Sequence, residues 1–156
     1  MAFTGQFGKQ MPPFDEAVAY WLRKRVVSRE EFEALSLAER ARAFTAARVF
    51  AADKLNAVYN ALDAVIRGSG GLREFQDVAR EILTRPGQMG LVFNSNVGGA
   101  YGAGHLVQAQ QARLLRPYGK YVALADARPS HLALHGQVYP LDHPFWLSFW
   151  PPWDHN

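Results

Sequence analysis

The chain has 156 residues, 49% hydrophobic and 20% charged, which is typical of one folded domain. Its net charge of +3 is spread evenly along the sequence, which argues against a strongly basic nucleic-acid surface. It contains no cysteine, so no disulfide or cysteine-ligated metal site forms within it. No apolar run approaches the roughly 20 residues of a membrane span and no secretory signal is apparent, so we expect a soluble protein made in the cytoplasm.

The first helix is predicted over Phe14–Arg25, directly after Pro12 and Pro13. It has acidic residues in its first turn and basic residues in its last, as the helix dipole favours. Two Ser-x-x-Glu patterns follow, beginning at Ser28 and Ser36. Both fit the capping box, in which each side chain bonds the other residue's free backbone N–H, so both indicate the start of a helix.

A long helix is predicted from Leu37 to Arg67, followed by a third helix over Leu72–Leu83 that ends before Pro86. Along the long helix, side chains recur at alternating spacings of four and three, which favours the core of an intramolecular bundle over a free coiled coil. Arg48 is the one charged member of this stripe, and we expect it at an edge. The stripe consists of Leu37, Ala41, Phe44, Arg48, Ala51, Leu55, Val58, Leu62 and Val65.

A fourth helix is predicted from about Gln88 to Leu115, although it contains Gly98, Gly99, Gly102 and Gly104. Each interior glycine costs about 1 kcal/mol relative to alanine. One explanation is close approach of another helix or of the C-terminal segment; the other is a loop that cradles a phosphate. The spacing matches neither of the common glycine-rich phosphate motifs and no strand precedes it, so packing is favoured.

The C-terminal third changes character. Short strands are predicted over Tyr121–Ala125 and Gln137–Pro140, paired as an antiparallel unit, and Asp142–Pro144 is predicted as a turn. The aromatic run Phe145–Trp150 is too apolar to be left exposed, and we expect it to dock across the helices. The predicted fold is therefore mainly α: residues 1–115 form a helical bundle with long helices. Residues 116–156 form a compact, irregular α+β unit docked on it, within one folding unit.

His131 and His135 are four residues apart and would share one face of a helix, so they are the candidates for a metal site. The glutamate that zinc proteases carry beside the first histidine is replaced by Leu132. We therefore favour structural hydrogen bonding or simple exposure of the two histidines, and expect no metal. The alternative is a small metal-dependent hydrolase or nuclease built on His131, His135, Asp126 and His143.

Asp126 and Arg128 are expected to form an ion pair, or to cap the short segment that carries His131. Ser130 adjoins this histidine, but sequence neighbours rarely have the geometry of a catalytic triad, and the Gly-x-Ser-x-Gly pattern is absent. No residue is therefore predicted to be catalytic.

A basic cluster near the start of the chain could contact DNA phosphates. It consists of Arg23, Lys24, Arg25 and Arg29. A solvated helix end explains the cluster equally well, so a cytoplasmic DNA-binding module is a second alternative, for which steep salt dependence is expected.

A series of short motifs runs in a fixed order from about residue 14 to the end of the chain. They are Ala43-Phe44-Thr45, Asn94-Ser95-Asn96, Ala100-Tyr101, Gly104-His105, Arg116-Pro117-Tyr118, Tyr121-Val122, Asp126-x-Arg128, His131, Gly136, Phe145-Trp146 and Pro151-Pro152. In this order they resemble the phage Mu F-like minor head (head morphogenesis) proteins of tailed bacteriophages. Asn94 and His105 stand where the family carries arginine, which weakens the case for a charged contact there.

The resemblance implies a minor capsid protein of a phage or prophage that takes part in procapsid assembly. It implies no enzymatic activity and no bound cofactor. Such a protein is made in the host cytoplasm and is then located in the virion, in the capsid interior or at the portal vertex. The portal protein is the expected partner. The major capsid or scaffolding protein and DNA are further candidates, and no membrane is involved.

The residues to which the resemblance assigns a structural or interaction role all lie in the matched motifs. They are Asn96, Tyr101, Gly104, Arg116, Tyr118, Asp126, Arg128, His131, Gly136, Trp146, Pro151 and Pro152. Many family members carry a cysteine-containing tail after the Pro-Pro pair, with which His131 would form a metal-type cluster; without those cysteines the metal interpretation loses its best ligands.

Overall fold

The computed structural model describes residues 14–40 and 42–150. Helices dominate, and two small two-stranded sheets accompany them within these residues. The elements in chain order are α1 (Asp15–Trp21), β1 (Arg25–Val26), α2 (Arg29–Ala34), α3 (Leu37–Arg40), β2 (Ala43–Phe44), α4 (Ala52–Ile66), α5 (Leu72–Ala79), α6 (Gln88–Gln111), a 3₁₀ turn (Ala112–Leu114), β3 (Tyr118–Lys120), α7 (Pro129–Leu132), β4 (Val138–Pro140) and α8 (Phe145–Phe149). The predicted fold class, mainly helical with a small antiparallel pair near the C-terminus, is confirmed.

The main core lies between α1, α4, α5 and the first half of α6. Its largest fully buried side chains include Trp21, Phe44, Phe75 and Leu62. Each side chain of this kind stabilises the fold by about 1.5–3 kcal/mol when it leaves water. The four-three spacing of α4 produces its buried face, as the sequence pattern predicts for this part of the stripe; the buried residues of α4 are Leu55, Val58, Leu62, Val65 and Ile66.

The prediction of one helix from Leu37 to Arg67 was wrong. The chain forms the short helix α3, then β2, and begins α4 only at Ala52. Phe44 pairs with Val26 in a parallel two-residue bridge and is 1% exposed, so its burial in the core overrides the local helical pattern. Arg48 has a φ angle of 63°, which a right-handed helix does not allow, so it occupies a turn and not the edge of a helical stripe.

The other early helices are shorter than predicted. α1 ends at Trp21 because Arg25 pairs with Ala43 in the β1–β2 bridge, and α5 ends at Ala79. The capping box at Ser28 is confirmed, since its hydroxyl accepts from the Glu31 N–H at 3.1 Å and the Glu31 carboxylate accepts from the Ser28 N–H at 2.7 Å. The second Ser-x-x-Glu pattern opens only the four-residue helix α3. Pro12 and Pro13 lie outside the described residues.

α6 is confirmed over Gln88–Gln111, and the 3₁₀ turn extends it to Leu114. The packing explanation for its glycines holds at Gly104, where a Cβ atom would lie 2.8 Å from the Ala17 backbone nitrogen and 2.9 Å from the Phe14 ring. α1 therefore crosses α6 too closely for any side chain at this position. Gly99 is different, because a Cβ there would meet nothing within 4 Å.

The C-terminal residues form a second, smaller core. β3 lies three residues before its predicted position and pairs antiparallel with β4, so that Lys120 faces Val138. The run Phe145–Trp150 packs against its own unit and against the C-terminal end of α6, so it contacts the helices through α6. The buried members of this core are Leu106, Tyr121, Leu141 and Trp146. α6 contributes to both cores. Within the described residues, no helix combines the length and apolar character needed to cross a membrane.

Candidate functional site

The motif residues of α6 hold α1 in place. The Phe14 ring lies 5.6 Å from the ring of Tyr101 and 4.8 Å from that of His105, with Gly104 between them on the same helix. Burial raises the pKa of Tyr101 above its usual value. The Asn96 side-chain amide donates to the Val92 carbonyl within the helix, at 2.8 Å. These motif residues therefore build the bundle.

His131 and His135 fasten the α7 segment to the chain that follows β3. The Tyr121 hydroxyl lies 2.5 Å from His131 Nδ1, and His135 Nδ1 lies 3.2 Å from both the N and O atoms of Ala123. Both histidines therefore take part in hydrogen bonds of the C-terminal unit, and His135 is also exposed. Within residues 14–40 and 42–150, no group of three or more His, Asp or Glu side chains could hold a metal ion.

The residues of the alternative hydrolase site do not converge. His143 Nδ1 accepts from the Phe145 N–H at 3.1 Å, and its ring stacks on Tyr139 at 4.8 Å. Asp126 lies exposed in a turn. The prediction that it caps the His131 segment was wrong, because α7 begins after Arg128 with no side-chain cap. The ion pairs found among the described residues are Arg29–Glu33, Arg67–Asp63 and Arg80–Asp77, so Asp126 and Arg128 are not paired with each other.

Gly136 and Trp146 anchor the C-terminal unit. Gly136 has a φ angle of 84°, which favours glycine, and its N–H donates to the Tyr121 carbonyl at 2.8 Å. The Trp146 indole N–H donates to the Pro140 carbonyl at 2.9 Å. Its ring lies so close to Gly119 that a Cβ there would be 2.6 Å from it. Sequence reasoning missed Gly119. The available signal was its position between Tyr118 and Tyr121, at the start of the C-terminal strand region.

Pro151 and Pro152 lie outside the described residues, as does Trp153 at the end of the aromatic run. No packing role can be described for these three positions.

Arg116 and Tyr118 differ from Gly136 and Trp146, because they are exposed on the surface. Tyr118 is 65% exposed, and the neighbouring Leu114 and Leu115 are 91% and 88% exposed. Sequence reasoning placed both leucines inside the predicted fourth helix and did not predict their exposure. The exposed segment from Leu114 to Tyr118 is a candidate interaction surface.

The basic cluster near the chain start presents less free charge than the sequence indicates. Arg29 Nε lies 2.8 Å from the Glu33 carboxylate. Lys24 is half-buried, its ammonium lies 5.8 Å from the centre of the Tyr20 ring, and burial lowers its pKa. Arg23 and Arg25 are exposed. DNA contact by this cluster stays a prediction.

The sequence comparisons point to one family. A family model described as Phage Mu protein F like protein matches residues 58–156, from within α4 to the end of the chain. The putative capsid assembly protein F of Escherichia phage Mu is 30% identical over an alignment of 172 positions, which covers 94% of this chain and 39% of that protein. The Mu-like prophage FluMu F protein of Haemophilus influenzae is 31% identical over 135 positions, 73% of this chain and 33% of that protein.

The chain thus spans only between a third and two-fifths of the length of these curated relatives. No solved structure gives a significant match. The family match covers more than half of the chain and includes α6, β3, β4 and α8, whose motif residues form the packing described above. The chain belongs to the family of Phage Mu protein F like proteins.

Proposed function

We propose that this chain takes part in head assembly of a tailed bacteriophage or prophage, as a minor capsid protein that acts by binding and not by catalysis. Family membership supports this role, as does the name of the phage Mu relative, a putative capsid assembly protein. On this proposal the protein is made in the host cytoplasm and becomes part of the virion, in the capsid interior or at the portal vertex.

One observation carries the binding role: the exposure of apolar side chains around the motif Arg116-Pro117-Tyr118. Leu114 is 91% exposed and Tyr118 is 65% exposed. Both lie next to the β3–β4 sheet, in which Gly119 packs against Trp146. A contiguous exposed apolar surface on a small protein indicates a protein–protein contact, and aromatic and arginine side chains are enriched in such contacts.

The portal protein of the same phage is the partner that we propose. Co-expression of the two proteins, followed by affinity purification through a tag on the portal, tests this. We expect the chain to co-purify at a fixed ratio. Absence of co-purification, with both proteins folded and soluble, would contradict a portal partner.

Two exposed leucines give a matched pair of variants for this experiment. Leu114→Glu places a charge on the candidate surface, and Leu37→Glu places one on α3, where Leu37 is 86% exposed. Because an apolar contact is lost only in the first variant, we expect Leu114→Glu to reduce portal recovery at least about tenfold and Leu37→Glu to leave it unchanged. An equal change of portal recovery in the two variants would show that the portal does not bind at Leu114.

A further inference from the structure

β3 has one edge paired with β4, and residues 14–40 and 42–150 place no strand beside its other edge. The Tyr121 N–H donates to the Gln137 carbonyl at 2.8 Å, and the Leu141 N–H donates to the Pro117 carbonyl at 2.9 Å. Gly119, midway between Pro117 and Tyr121, faces β4 in the same register. The odd-numbered residues of this segment therefore direct their backbone groups towards β4.

The even-numbered residues Tyr118, Lys120 and Val122 consequently direct their N–H and C=O groups away from β4, because these groups alternate along an antiparallel strand. The Ala123 N–H fits the alternation, since it lies on the β4 side, 3.2 Å from His135 Nδ1. Among the described residues no backbone hydrogen bond to Tyr118, Lys120 or Val122 occurs on the outer side. An open edge of this kind is a template for another strand.

Apolar side chains accompany the open edge. Tyr118 and Val122 are 65% and 64% exposed, and Val138, which faces Lys120 from β4, is 55% exposed. At the start of β3, a depression of about 250 Å³ lies between Leu114, Tyr118 and β4. A strand added to this edge would therefore bury apolar surface as well as form backbone hydrogen bonds.

The charges around the edge are almost all positive. Arg113, Arg116 and Lys120 are exposed, and the chain has no acidic residue between Glu81 and Asp126. The carboxylate of Asp142 lies at the depression beside the start of β3 and is the acidic group on that side. An incoming strand that carries carboxylates would pair with the three cations.

A second copy of this chain fits the edge poorly. Antiparallel pairing of β3 with itself would bring the lysine and arginine side chains of the two copies to opposing positions, and like charges in such cross-strand pairs are destabilising. The charge pattern therefore selects a different, acidic partner.

We propose that the open edge of β3 binds an extended segment of a partner protein. Because Tyr118, Lys120 and Val122 present their side chains to one face of the sheet, the side chains of the segment on that face, at every second position, are apolar, acidic and apolar in turn. This segment adds a third strand to the β3–β4 sheet, in the manner of β-augmentation. Its apolar side chains cover Tyr118 and Val122, and its carboxylates pair with Arg116 and Lys120. The proposal rests on strand geometry and charge, and it does not depend on a role in head assembly.

Amide NMR of the isotope-labelled chain tests the proposal with a synthetic nine-residue peptide in which valine and glutamate alternate at the odd-numbered positions and threonine occupies the even-numbered ones. We expect saturable shifts and slowed hydrogen exchange at the amides of Tyr118, Lys120 and Val122, and no change in α4. A peptide with lysine in place of each glutamate is expected to bind at least about tenfold more weakly, because its charges repel those of the edge.

Three variants separate the hydrogen bonds from the charges. Val122→Pro removes an outward N–H without touching the β3–β4 ladder, and Lys120→Glu reverses a charge at the edge. Each is expected to raise the Kd of the acidic peptide about tenfold. Lys54→Glu, an exposed position on α4, is the control for net charge and should leave the Kd unchanged. If Val122→Pro disturbs the fold, the Kd of the acidic peptide for Lys120→Glu is compared with that for Lys54→Glu, and this difference tests the proposal.

Several results would overturn the proposal. The peptide could leave the three outward amides unchanged, or the lysine peptide could bind as tightly as the glutamate peptide. A single-stranded oligothymidylate that shifts the same amides at lower concentration than the peptide would assign the surface to nucleic acid. Concentration-dependent self-association that broadens these amides without peptide would assign it to a second copy.

Discussion

Gly104 and Gly99 lie five residues apart in α6 and meet opposite surroundings. Gly104 faces the backbone of α1, where an added Cβ would lie 2.8 Å from the Ala17 nitrogen, whereas an added Cβ at Gly99 would meet nothing within 4 Å. The four-three spacing of Phe93, Val97, Ala100 and Gly104 places Gly104 on the apolar face of the helix and Gly99 off it. The spacing does not show what packs on that face, which is decided by the path of α1.

Substitution of these glycines by alanine is expected to change stability in opposite directions. Gly104→Ala should lower the free energy of unfolding by about 1–3 kcal/mol, since the contact with backbone cannot relax and outweighs the gain in helix propensity. Gly99→Ala should raise it by about 0.5–1 kcal/mol, because only the propensity changes. Urea unfolding followed by circular dichroism measures both. A stabilising Gly104→Ala would show that α1 does not cross α6 this closely.

The sequence indicated the roles of some individual side chains and missed those of others. The spacing of His131 and His135 suggested a metal site, and the missing glutamate favoured hydrogen bonding or exposure; their partners in the structure are Tyr121 and Ala123. Gly119 was not recognised, because its importance comes from Trp146, which is 27 residues away in sequence and meets it only in the folded unit.

The segment between α3 and α4 shows where element prediction from sequence reaches its limit. A four-three apolar pattern continues through it, yet Phe44 leaves that pattern to pack against Trp21 and Tyr59, at ring distances of 5.8 and 5.5 Å. α6 was predicted in place, whereas α4 was predicted only as the second half of a helix that began too early, at Leu37. Where a buried aromatic residue and a short strand pairing compete with the helix, tertiary contacts decide.

Arg48→Gly tests this corrected element directly. A non-glycine residue at a φ angle of 63° carries conformational strain, so glycine there should raise the free energy of unfolding by about 0.5–1 kcal/mol. If Arg48 were instead part of a helix, the same change would cost about 1 kcal/mol. Lys54→Gly in α4 is the matched control and is expected to show that cost. The sign of the shift in thermal midpoint for Arg48→Gly distinguishes the two structures.

At the scale of the whole molecule, α6 joins two separate cores. Its first half packs with α1, α4 and α5, and Leu106 near its end packs with Tyr121, Leu141 and Trp146. The change in sequence character near residue 115 predicts a separate C-terminal unit, and this division of the chain stays a prediction. The sequence does not predict how small the second core is.

Trp146→Ala is expected to loosen the second core and spare the first. The side chain is 2% exposed, and its removal should cost about 3–5 kcal/mol within that unit. Hydrogen exchange should therefore lose protection in β3, β4 and α8, while amides of α4 keep theirs. Phe75→Ala, in the main core, is the matched control and should reduce protection in α4 and α5. Uniform loss of protection in Trp146→Ala would contradict the existence of two cores.

Head assembly is the central claim, and peptide mass spectrometry of gradient-purified procapsids tests it most directly. The comparison is between particles from a phage or prophage that makes the intact chain and particles from one with a nonsense codon in α4, upstream of most of the family match. We expect the chain in wild-type procapsids, in few copies, and a loss of filled heads in the mutant. Procapsids that lack the chain, together with normal filled heads in the mutant, would contradict the proposed function.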